Sequence, residues 1–539
     1  MEKRVKYAAP AAFLVLAAAL SPWAFDFPLN DDWAYAWAAR GLAATGRLTL
    51  SDWGASTQLP HVLAGALAAK LFGFSFGALR ALNLLVAAAA LFVFGKLLEE
   101  FDAPPLEGLA AALALAFSPL YLVLAGSFMT DVHYFFWMLL ACLFYIRNLK
   151  KPEDAAALWL AGACAALAYL TRQLAVALPL AFTLALAPQK RLKPRDLAAA
   201  WALPVAAMLG YWAWFRFAHG PTWASENYVG AATLLHLSKP LAFLRDALYR
   251  FFAALVETGL LLLPLAAGFA LSLRKFWSRN GTGERLNAGW VWLGLAVLAG
   301  FALANGPLPW LENSLSAAGL GTLTLGGAEF KPAGFFASPL FWKAATGAAV
   351  FSAVLLICCS GLALRAGGAP LRFLFFASFL QLGISLIGAK FFDRYLLVLL
   401  PWFAVAAAAA ARGVKFSRPA AALALALYAL IGWAGMKDYL AWNRAKWELA
   451  SRPHEGLAPS EIAAGFDHDA WLTYDKNMAY LKSMKPLKMI GEWEWQKLNP
   501  YKALVTYAPD PRLKVLDKAE YSTPLSPRKG VLYLVSLRP

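Results

Sequence analysis

Acidic residues stand at two places where apolar stretches of the chain meet water. Asp31 and Asp32 follow the first apolar stretch, and Asp131 opens a later one, two residues before His133. Charged side chains at the end of a membrane helix are costly, so their presence indicates a functional site. A carboxylate there can take a proton from an attacking hydroxyl, and a second can hold a hard divalent cation beside a phosphate.

The composition of the chain indicates a membrane protein. Of its 539 residues, 60% are hydrophobic and 15% charged, and the mean hydropathy is +0.54, outside the range of ordinary soluble domains. Apolar runs of about 17–25 residues, long enough to span a bilayer, recur along the chain. About thirteen spans are predicted, at residues 8–25, 78–96, 107–125, 132–148, 155–171, 173–188, 198–217, 250–273, 288–305, 339–364, 372–389, 395–411 and 418–436. The first lacks a small-residue cleavage site and is therefore predicted to be a retained span.

Basic residues predict the orientation of these spans. Lys3, Arg4 and Lys6 precede the first span, which places the N-terminus in the cytoplasm. Alternate loops carry further basic clusters, so the net charge of +17 reflects topology and anionic lipid headgroups. Because basic residues and aromatic residues form no base-stacking module, no nucleic-acid partner is expected. The acids at residues 31, 32 and 131 all fall on the opposite, outer side. The basic clusters of the alternate loops lie near residues 147–151, 190–195, 274–285, 365–372 and 412–418.

The chain is predicted to divide after the last span. From Lys437 onward charged residues and prolines increase, and Val531–Val535 has the pattern of a strand. An odd number of spans sends this tail to the outer side. We therefore expect an all-α polytopic domain at residues 1–436 and a small extracytoplasmic α/β domain at residues 437–539, in the inner (plasma) membrane.

The first outward loop, residues 26–77, is predicted to hold two amphipathic helices lying on the membrane surface. Its tryptophans suit the aromatic belt at a membrane interface. A site in this loop would face water on one side, for an acceptor, and lipid on the other, for a membrane-bound donor. The tryptophans in and beside the loop are Trp23, Trp33, Trp37 and Trp53.

Each candidate residue also has a purely structural interpretation. The acids could cap helices, since aspartate favours that position, although one cap needs one residue and two adjacent acids are present. Histidines next to apolar segments often only pack. A basic residue at a turn can simply flank a loop, and charged residues of one short run can pair with each other. The candidates weighed in this way are Asp31, Asp32, Tyr35, His61, Asp131, His133, Arg172, Glu226, Lys390, Asp393 and Arg394.

Four segments, taken in order, carry a resemblance to a known family. They are Asp31–Asp32, residues 71–75 with Leu79–Arg80, residues 129–131, and residues 393–397 with Pro401. In these segments, and in the layout of most of residues 1–412, the chain resembles the GT-C superfamily of polyprenyl-phosphate-sugar-dependent glycosyltransferases. Within it, the chain is similar to the branch of the protein O-mannosyltransferases and the lipid A aminoarabinose transferase.

The resemblance implies that a sugar passes from polyprenyl phosphate to an acceptor hydroxyl at the outer face, with inversion. By position, Asp31 matches the catalytic aspartate of the family and Asp32 the acid beside it. Asp131 matches a second acid near the donor phosphate or a metal, and Arg394 matches a basic phosphate contact. The resemblance also makes a divalent metal a candidate cofactor, Mg²⁺ or Mn²⁺ before Zn²⁺, with Asp131 and Asp31 as its ligands.

The chain departs from the family pattern at one position. Leu59 precedes Pro60, where the family often has a basic residue. The cation that grips the donor phosphate is therefore expected from Arg172, Lys390 or Arg394. The sequence leaves open whether the acceptor is a lipid, a glycan or a protein.

A secondary transporter or lipid flippase is the alternative function. Such proteins usually show inverted repeats and place charged residues near the middle of the membrane. Here the acids gather at one interface, which favours an enzyme that works at one face. The chain has no Walker or dinucleotide-binding motif.

Overall fold

The computed structural model describes residues 5–189, 193–270, 288–306, 308–325, 338–410, 416–483, 498–524 and 529–537. Most of these residues are helical. The α-helices, in chain order, are α1 (Val5–Leu20), α2 (Asp32–Thr45), α3 (Leu59–Phe72), α4 (Phe76–Glu100), α5 (Pro105–Ala116), α6 (Pro119–Ala125), α7 (Thr130–Lys150), α8 (Ala155–Thr171), α9 (Ala177–Leu186), α10 (Pro194–Ala213), α11 (Ala232–Leu237), α12 (Pro240–Leu261), α13 (Leu263–Ala270), α14 (Ala288–Asn305), α15 (Pro339–Ala366), α16 (Ala369–Ile387), α17 (Leu400–Ala410), α18 (Arg418–Ser451) and α19 (Phe466–Ser483).

Shorter helical turns connect several of these elements. Those with 3₁₀ geometry are Pro22–Ala24, Gln173–Val176, Ala187–Gln189, Asp393–Val398 and Pro459–Glu461. Two π-helical segments, Trp214–His219 and Ser225–Ala231, follow α10.

Among the described residues, eight helices are long and apolar enough to cross a membrane, or ten if each of two bent pairs counts as one span. The pairs are α5 with α6, bent by 54°, and α12 with α13, bent by 68°. Both second helices carry a proline in their first two residues, where the ring ends the preceding helix. The other three predicted spans, near residues 155–171, 173–188 and 288–305, form shorter apolar helices. The polytopic helical fold is thus confirmed, and the count of thirteen crossings stays a prediction.

Some sequence predictions fall beyond the described residues. They are the basic clusters at residues 274–285 and 412–415, and residues 190–192 of another cluster. The first loop, residues 26–77, contains two helices as predicted, α2 and α3. Trp33 of α2 is fully buried inside the protein, so the expectation that it lies in an interfacial belt is wrong.

Two buried acids anchor a short hairpin in the later loop that follows α14. Strand β1 (Leu315–Ser316) pairs antiparallel with β2 (Gly319–Leu320). The amides of Ser314 and Leu315 donate to Asp393 Oδ2 at 2.7 and 2.6 Å, and the Leu311 amide donates to Glu257 Oε1 at 2.5 Å. The loop is therefore fixed to the ends of two membrane helices by charge-assisted hydrogen bonds.

The C-terminal region contains the small α/β structure that the sequence predicts. Its four strands are β3 (Ile462–Ala463), β4 (Ala503–Thr506), β5 (Val515–Tyr521) and β6 (Gly530–Ser536), in the order β3-β4-β6-β5. β3 is parallel to β4, and the other pairs are antiparallel. Leu532 and Leu534 of β6 are fully buried, as expected for alternate residues of a strand with one covered face.

The predicted boundary at residues 436 and 437 lies within a continuous helix. α18 runs from Arg418 to Ser451, and its last turns are buried at Leu449 and Ala450. It carries the chain from the membrane-spanning part to the C-terminal region, and residues 452–461 then lead to β3. α19 then packs on α2 through a cluster of aromatic residues. This aromatic cluster consists of Trp33, Trp53, Trp223, Phe466 and Tyr474, with Trp37 and Trp471 at its edge.

Candidate active site

Asp31 lies just before α2, with its side chain 20% exposed. Asn30 before it adopts a left-handed backbone conformation with φ of 56°, which asparagine tolerates better than most residues. The Asp31 carboxylate makes no capping hydrogen bond to α2, so the helix-cap interpretation does not describe it. Instead Oδ1 accepts from Trp53 Nε1 at 3.1 Å, and Oδ2 lies 3.7 Å from Arg394 Nη1.

Asp32 is fully buried, in contrast to its neighbour. Its carboxylate accepts the amide of Leu29 at 2.7 Å and the amide of Phe128 at 3.1 Å. Burial raises the pKa of Asp32 from 3.8 to about 7, against the opposing effect of the nearby Arg80 guanidinium. The two hydrogen bonds tie the first loop to the segment that leads to Asp131, so the geometry favours a positioning role over the catalytic role predicted for Asp32.

Asp131 is buried at the start of α7 and pairs with an arginine from the end of α8. Arg172 Nη2 lies 2.8 Å from Asp131 Oδ2, and Arg172 Nε donates to Thr130 Oγ1 at 3.0 Å. A guanidinium bound in this forked way is fixed in direction. Arg172 is thus a site residue and more than a loop flank.

Arg394 completes the group of charges. Its guanidinium is 5.9 Å from the centre of the Tyr395 ring, and that of Arg172 is 5.7 Å from the same ring. Arg394 interacts electrostatically with Asp131 as well as Asp31. Its Nε and Nη1 are buried and make no hydrogen bond to the described part of the chain. We call Asp31, Asp131, Arg172 and Arg394 the acid–arginine cluster.

The other basic candidate lies elsewhere. Lys390 is exposed, and its side chain has no ion pair with the described residues. Asp393, next to Arg394, is fully buried and holds the hairpin described above. Of these three charged residues, only Arg394 lies close to Asp31 and Asp131.

Two buried histidines and a tyrosine lie beside the acid–arginine cluster. His61 stacks on Phe128 with ring centres 3.9 Å apart and contacts His133 edge-on at 4.5 Å. Tyr35 contacts His61 at 5.6 Å and is within electrostatic range of both arginines and both acids. Burial lowers the pKa of His61 and raises that of Tyr35, so both side chains are neutral at pH 7. Within the described residues, His61 Nδ1 and His133 Nε2 have no hydrogen-bond partner.

The N-terminal half of α4 holds the loops that carry the acids. Arg80 is fully buried; Nη1 donates to the Phe25 carbonyl at 2.6 Å, and Nη2 donates to the Phe27 carbonyl. One turn on, Asn83 Nδ2 donates to the Ser127 carbonyl at 2.6 Å. Both loops, one before Asp31 and one before Asp131, are thereby fixed to the same helix. The hydrogen bonds of Arg80 thus give the Leu79–Arg80 motif a structural role.

Glu226 lies apart from these residues. It is exposed on the π-helical segment Ser225–Ala231, and no contact links its side chain to the described acids or arginines. The residues just before this segment do approach the first loop, since Thr222 Oγ1 donates to the Gly54 carbonyl at 3.0 Å and Trp223 stacks on Trp53.

The predicted metal ligands do not form a ligand cluster. Among the described residues, no group of three or more His, Cys, Asp or Glu side chains could hold a metal ion. Asp131 and Asp31 each face an arginine, and a guanidinium in that place competes with a cation. The donor set as placed does not fit a divalent metal, so no step below uses one.

Sequence reasoning missed two residues that contact or extend the site. Trp53, expected in an interfacial belt, is a hydrogen-bond donor to Asp31. Glu257 is a fully buried acid in α12 that holds the loop after α14. A lone carboxylate in an apolar span is itself a signal, and it could have found Glu257. No pattern marks an indole that reaches an acid 22 positions away.

The fold and the site define a polytopic helical membrane protein with acids and arginines gathered where loops meet helix ends. A family model described as dolichyl-phosphate-mannose-protein mannosyltransferase matches residues 61–214. The match contains Asp131 and Arg172, and it confirms the predicted resemblance over these residues. Asp31 and Arg394 lie outside it.

Two solved structures are similar along nearly the whole chain. They are crystal structures of ArnT from Cupriavidus metallidurans, one bound to undecaprenyl phosphate and one in the apo state. Their TM-scores are 0.41 and 0.40, each at 14% sequence identity, with 98% of this chain and 97% of the other covered. No curated protein matches this chain significantly.

Proposed function

We propose that the chain is a membrane glycosyltransferase that moves a sugar from a polyprenyl-phosphate donor to an acceptor hydroxyl, with inversion. The observation that carries the proposal is the acid–arginine cluster. It combines a partly exposed carboxylate with a guanidinium whose Nε and Nη1 are buried without hydrogen bonds among the described residues. The match of residues 61–214 to a mannosyltransferase family model supports the same reaction class.

Asp31 has the geometry of a general base. Its carboxylate is held from both sides, by Trp53 and by Arg394, and 20% of its side chain remains exposed. An acceptor hydroxyl can approach this exposed part and transfer its proton to the carboxylate. The hydroxyl oxygen then bonds to the anomeric carbon of the donor as the bond from that carbon to the phosphate oxygen breaks.

Arg394 is suited to receive the leaving group. When the anomeric bond breaks, negative charge develops on the phosphate, and a preorganised guanidinium stabilises such charge strongly in a dry site. Arg172 is the second cation of the cluster, and its forked contact with Asp131 and Thr130 fixes its direction. Asp131 thus orients a cation in this mechanism.

The proposed orientation follows from the basic residues of the sequence. The N-terminus lies in the cytoplasm of the inner membrane, and the acid–arginine cluster faces the periplasm together with the C-terminal region. The acceptor is a lipid, a glycan or a protein at that face. The test below also measures whether turnover requires a divalent metal.

The test is release of free polyprenyl phosphate by purified protein offered a panel of lipid-phosphate sugars and acceptors, with and without chelator. We expect wild-type turnover, and a loss of about 10²–10⁴-fold in Asp31→Asn, as for removal of a general base. Since the substitution keeps the size of the side chain, folding should be unchanged in a thermal melt.

Asp475→Asn is the matched control, because Asp475 is exposed on α19. It should turn over at the wild-type rate. If Asp31→Asn also kept that rate, the assignment of the base would be overturned. Failure of the wild-type protein with every donor and acceptor would instead favour a transporter of the lipid-linked substrate.

A further inference from the structure

Both oxygens of the Asp31 carboxylate have a partner, and the two partners differ in kind. Oδ2 faces Arg394 at 3.7 Å, a charge that the donor phosphate would share. Oδ1 accepts from the Trp53 indole at 3.1 Å, a neutral donor. Trp53 and Arg394 thus hold different oxygens of the carboxylate, and together they define its direction.

The Trp53 ring is held by aromatic residues from three distant parts of the chain. It stacks on Trp223 with ring centres 6.1 Å apart and planes at 10°. Phe466, the first residue of α19, lies 4.8 Å from it, and Trp33 lies at 6.3 Å. Such contacts fix both the place and the tilt of an indole, because ring pairs favour defined geometries.

The backbone around Trp53 is fixed to the C-terminal region as well. The amide of Asp52 donates to the Tyr474 hydroxyl of α19 at 2.6 Å. On the other side of the loop, Thr57 Oγ1 donates to the Tyr169 carbonyl at 2.6 Å, and the Gln58 amide donates to the Thr171 carbonyl at 3.1 Å. The loop that carries Trp53 therefore lies between α19 and the end of α8.

We propose that Trp53 is a positioning residue for Asp31, and that α19 of the C-terminal region holds Trp53 in place. This inference rests on the proposed function, because it assigns Asp31 the role of general base. It gives the C-terminal region a part in the reaction: α19 contacts the indole that directs the carboxylate. Asp31 remains the catalytic residue.

The test compares kcat and KM for full-length wild type, Trp53→Phe and Phe466→Leu. Trp53→Phe keeps a ring in the aromatic cluster and removes the N–H donor. We expect kcat to fall at least about tenfold with the KM for donor little changed, since orientation of the base is lost while phosphate binding is kept.

Phe466→Leu keeps apolar volume and loosens the indole without removing its N–H group. It should lower kcat less than Trp53→Phe and leave the KM for donor little changed. Tyr480→Phe is the control: it also removes a side-chain donor from an aromatic residue of α19, at a position that is 52% exposed and outside the aromatic cluster. Its kcat and its KM should equal those of the wild type.

The outcomes separate this inference from the proposed function. Turnover in Asp31→Asn equal to the wild type would overturn the assignment of Asp31 as the base, which is the premise of this inference. Loss of turnover in Asp31→Asn, together with an unchanged kcat in Trp53→Phe, would overturn the positioning role alone. A fall in the Trp53→Phe rate through KM only would also overturn it. If Trp53→Phe does not fold, a kcat for Phe466→Leu equal to the wild type would have the same meaning.

Discussion

Asp31 and Asp32 are neighbours in sequence with opposite surroundings. Asp31 keeps access to the outside and faces two side-chain donors, whereas Asp32 is enclosed and accepts two backbone amides. Hydrogen bonds to the amides position Asp32 but do not offset its loss of hydration, since burial is the largest influence on its pKa. In the proposed function, Asp31 therefore reacts and Asp32 holds the loop.

Asp32 should make stability depend on pH in the direction opposite to most carboxylates. Its pKa is raised from 3.8 to about 7 by burial, so between these values the folded protein holds a proton that the unfolded chain has lost. Stability should therefore fall as pH rises from about 4 to about 7 and level off above that range. Asp32→Asn should remove this contribution, which unfolding midpoints at pH 5 and pH 8 will show.

Asp475→Asn, at an exposed position, should leave the wild-type pH dependence intact. A midpoint difference between wild type and Asp32→Asn that is equal at both pH values would contradict the assigned burial effect.

For single residues, the sequence predicted the types that form the site better than it predicted their contacts. Asp31, Asp131, Arg172 and Arg394 are predicted from charge at the ends of apolar segments, and the structure brings them together. Lys390 and Glu226 satisfied the same rule but are exposed. The direction of a side chain at the end of a helix depends on the backbone angles of the adjoining turn. A pattern of charged residues does not determine these angles.

Among the secondary-structure elements, α4 has the largest part in arranging the site. Arg80 and Asn83 lie on one face near its N-terminal end and reach the loops before Asp31 and Asp131. Gly77 lets α4 approach the backbone at Trp23 closely, because a Cβ at position 77 would lie 2.2 Å from the Trp23 carbonyl oxygen. The helix therefore fixes the spacing of the two acids through backbone contacts.

Arg80→Met should disorder the turn that precedes Asp31. The substitution keeps an apolar stem of similar length and removes the donors to the carbonyls of Phe25 and Phe27, which are left buried and unpaired. We expect faster hydrogen exchange of residues 22–32 and a loss of turnover. Mass spectrometry of the exchanged peptides is the measurement.

Arg47→Met is the control for that experiment, since Arg47 is exposed in the same loop. It should leave exchange of residues 22–32 unchanged. Wild-type exchange in Arg80→Met would show that Arg80 does not hold the turn.

Element types were predicted well because they follow from local pattern. Apolar runs gave the helices, and an apolar, β-prone run gave the strand predicted at residues 531–535, which lies within β6. The bends of 54° and 68° were not predicted, because the spans were drawn from hydropathy alone, which does not register Pro119 and Pro264 at the breaks. The continuation of α18 to Ser451 was also not predicted, because the sequence was divided where charged residues increase, and a helix can continue past such a change.

Across the whole molecule, a buried ion pair joins the membrane-spanning part to the C-terminal region. Lys446 near the end of α18 contacts both carboxylate oxygens of Asp467 in α19, at 2.6 and 2.7 Å, and both side chains are fully buried. Lys446 also donates to Thr324 Oγ1 at 3.1 Å. This pair cannot be read from sequence, because its residues look like the solvated face of two ordinary helices.

Loss of one partner of this ion pair should lower the stability of the protein strongly, whereas replacement of both partners by apolar residues should not. Asp467→Asn leaves a buried ammonium without its counter-charge, and loss of one partner of a buried pair typically costs about 3–5 kcal/mol. The double variant Lys446→Met with Asp467→Leu removes both charges and should recover most of the unfolding midpoint. Thermal unfolding of the purified protein measures both.

The exposed pair of Arg512 and Asp510, 2.6 Å apart, is the comparison. Asp510→Asn should change the midpoint little, as for surface pairs in general. An equal, small effect of Asp467→Asn would show that Lys446 finds another partner or becomes neutral.

The contact between Asp52 and Tyr474 has a consequence for how the protein is made. The two residues are 422 positions apart, so the first loop leaves the ribosome long before α19 does. All the intervening membrane helices must be inserted, and α19 must reach the same side, before the indole of Trp53 acquires its neighbour Phe466. Under the proposed function, a nascent or truncated chain thus holds an incompletely arranged base, and turnover begins only when synthesis and membrane insertion are nearly complete.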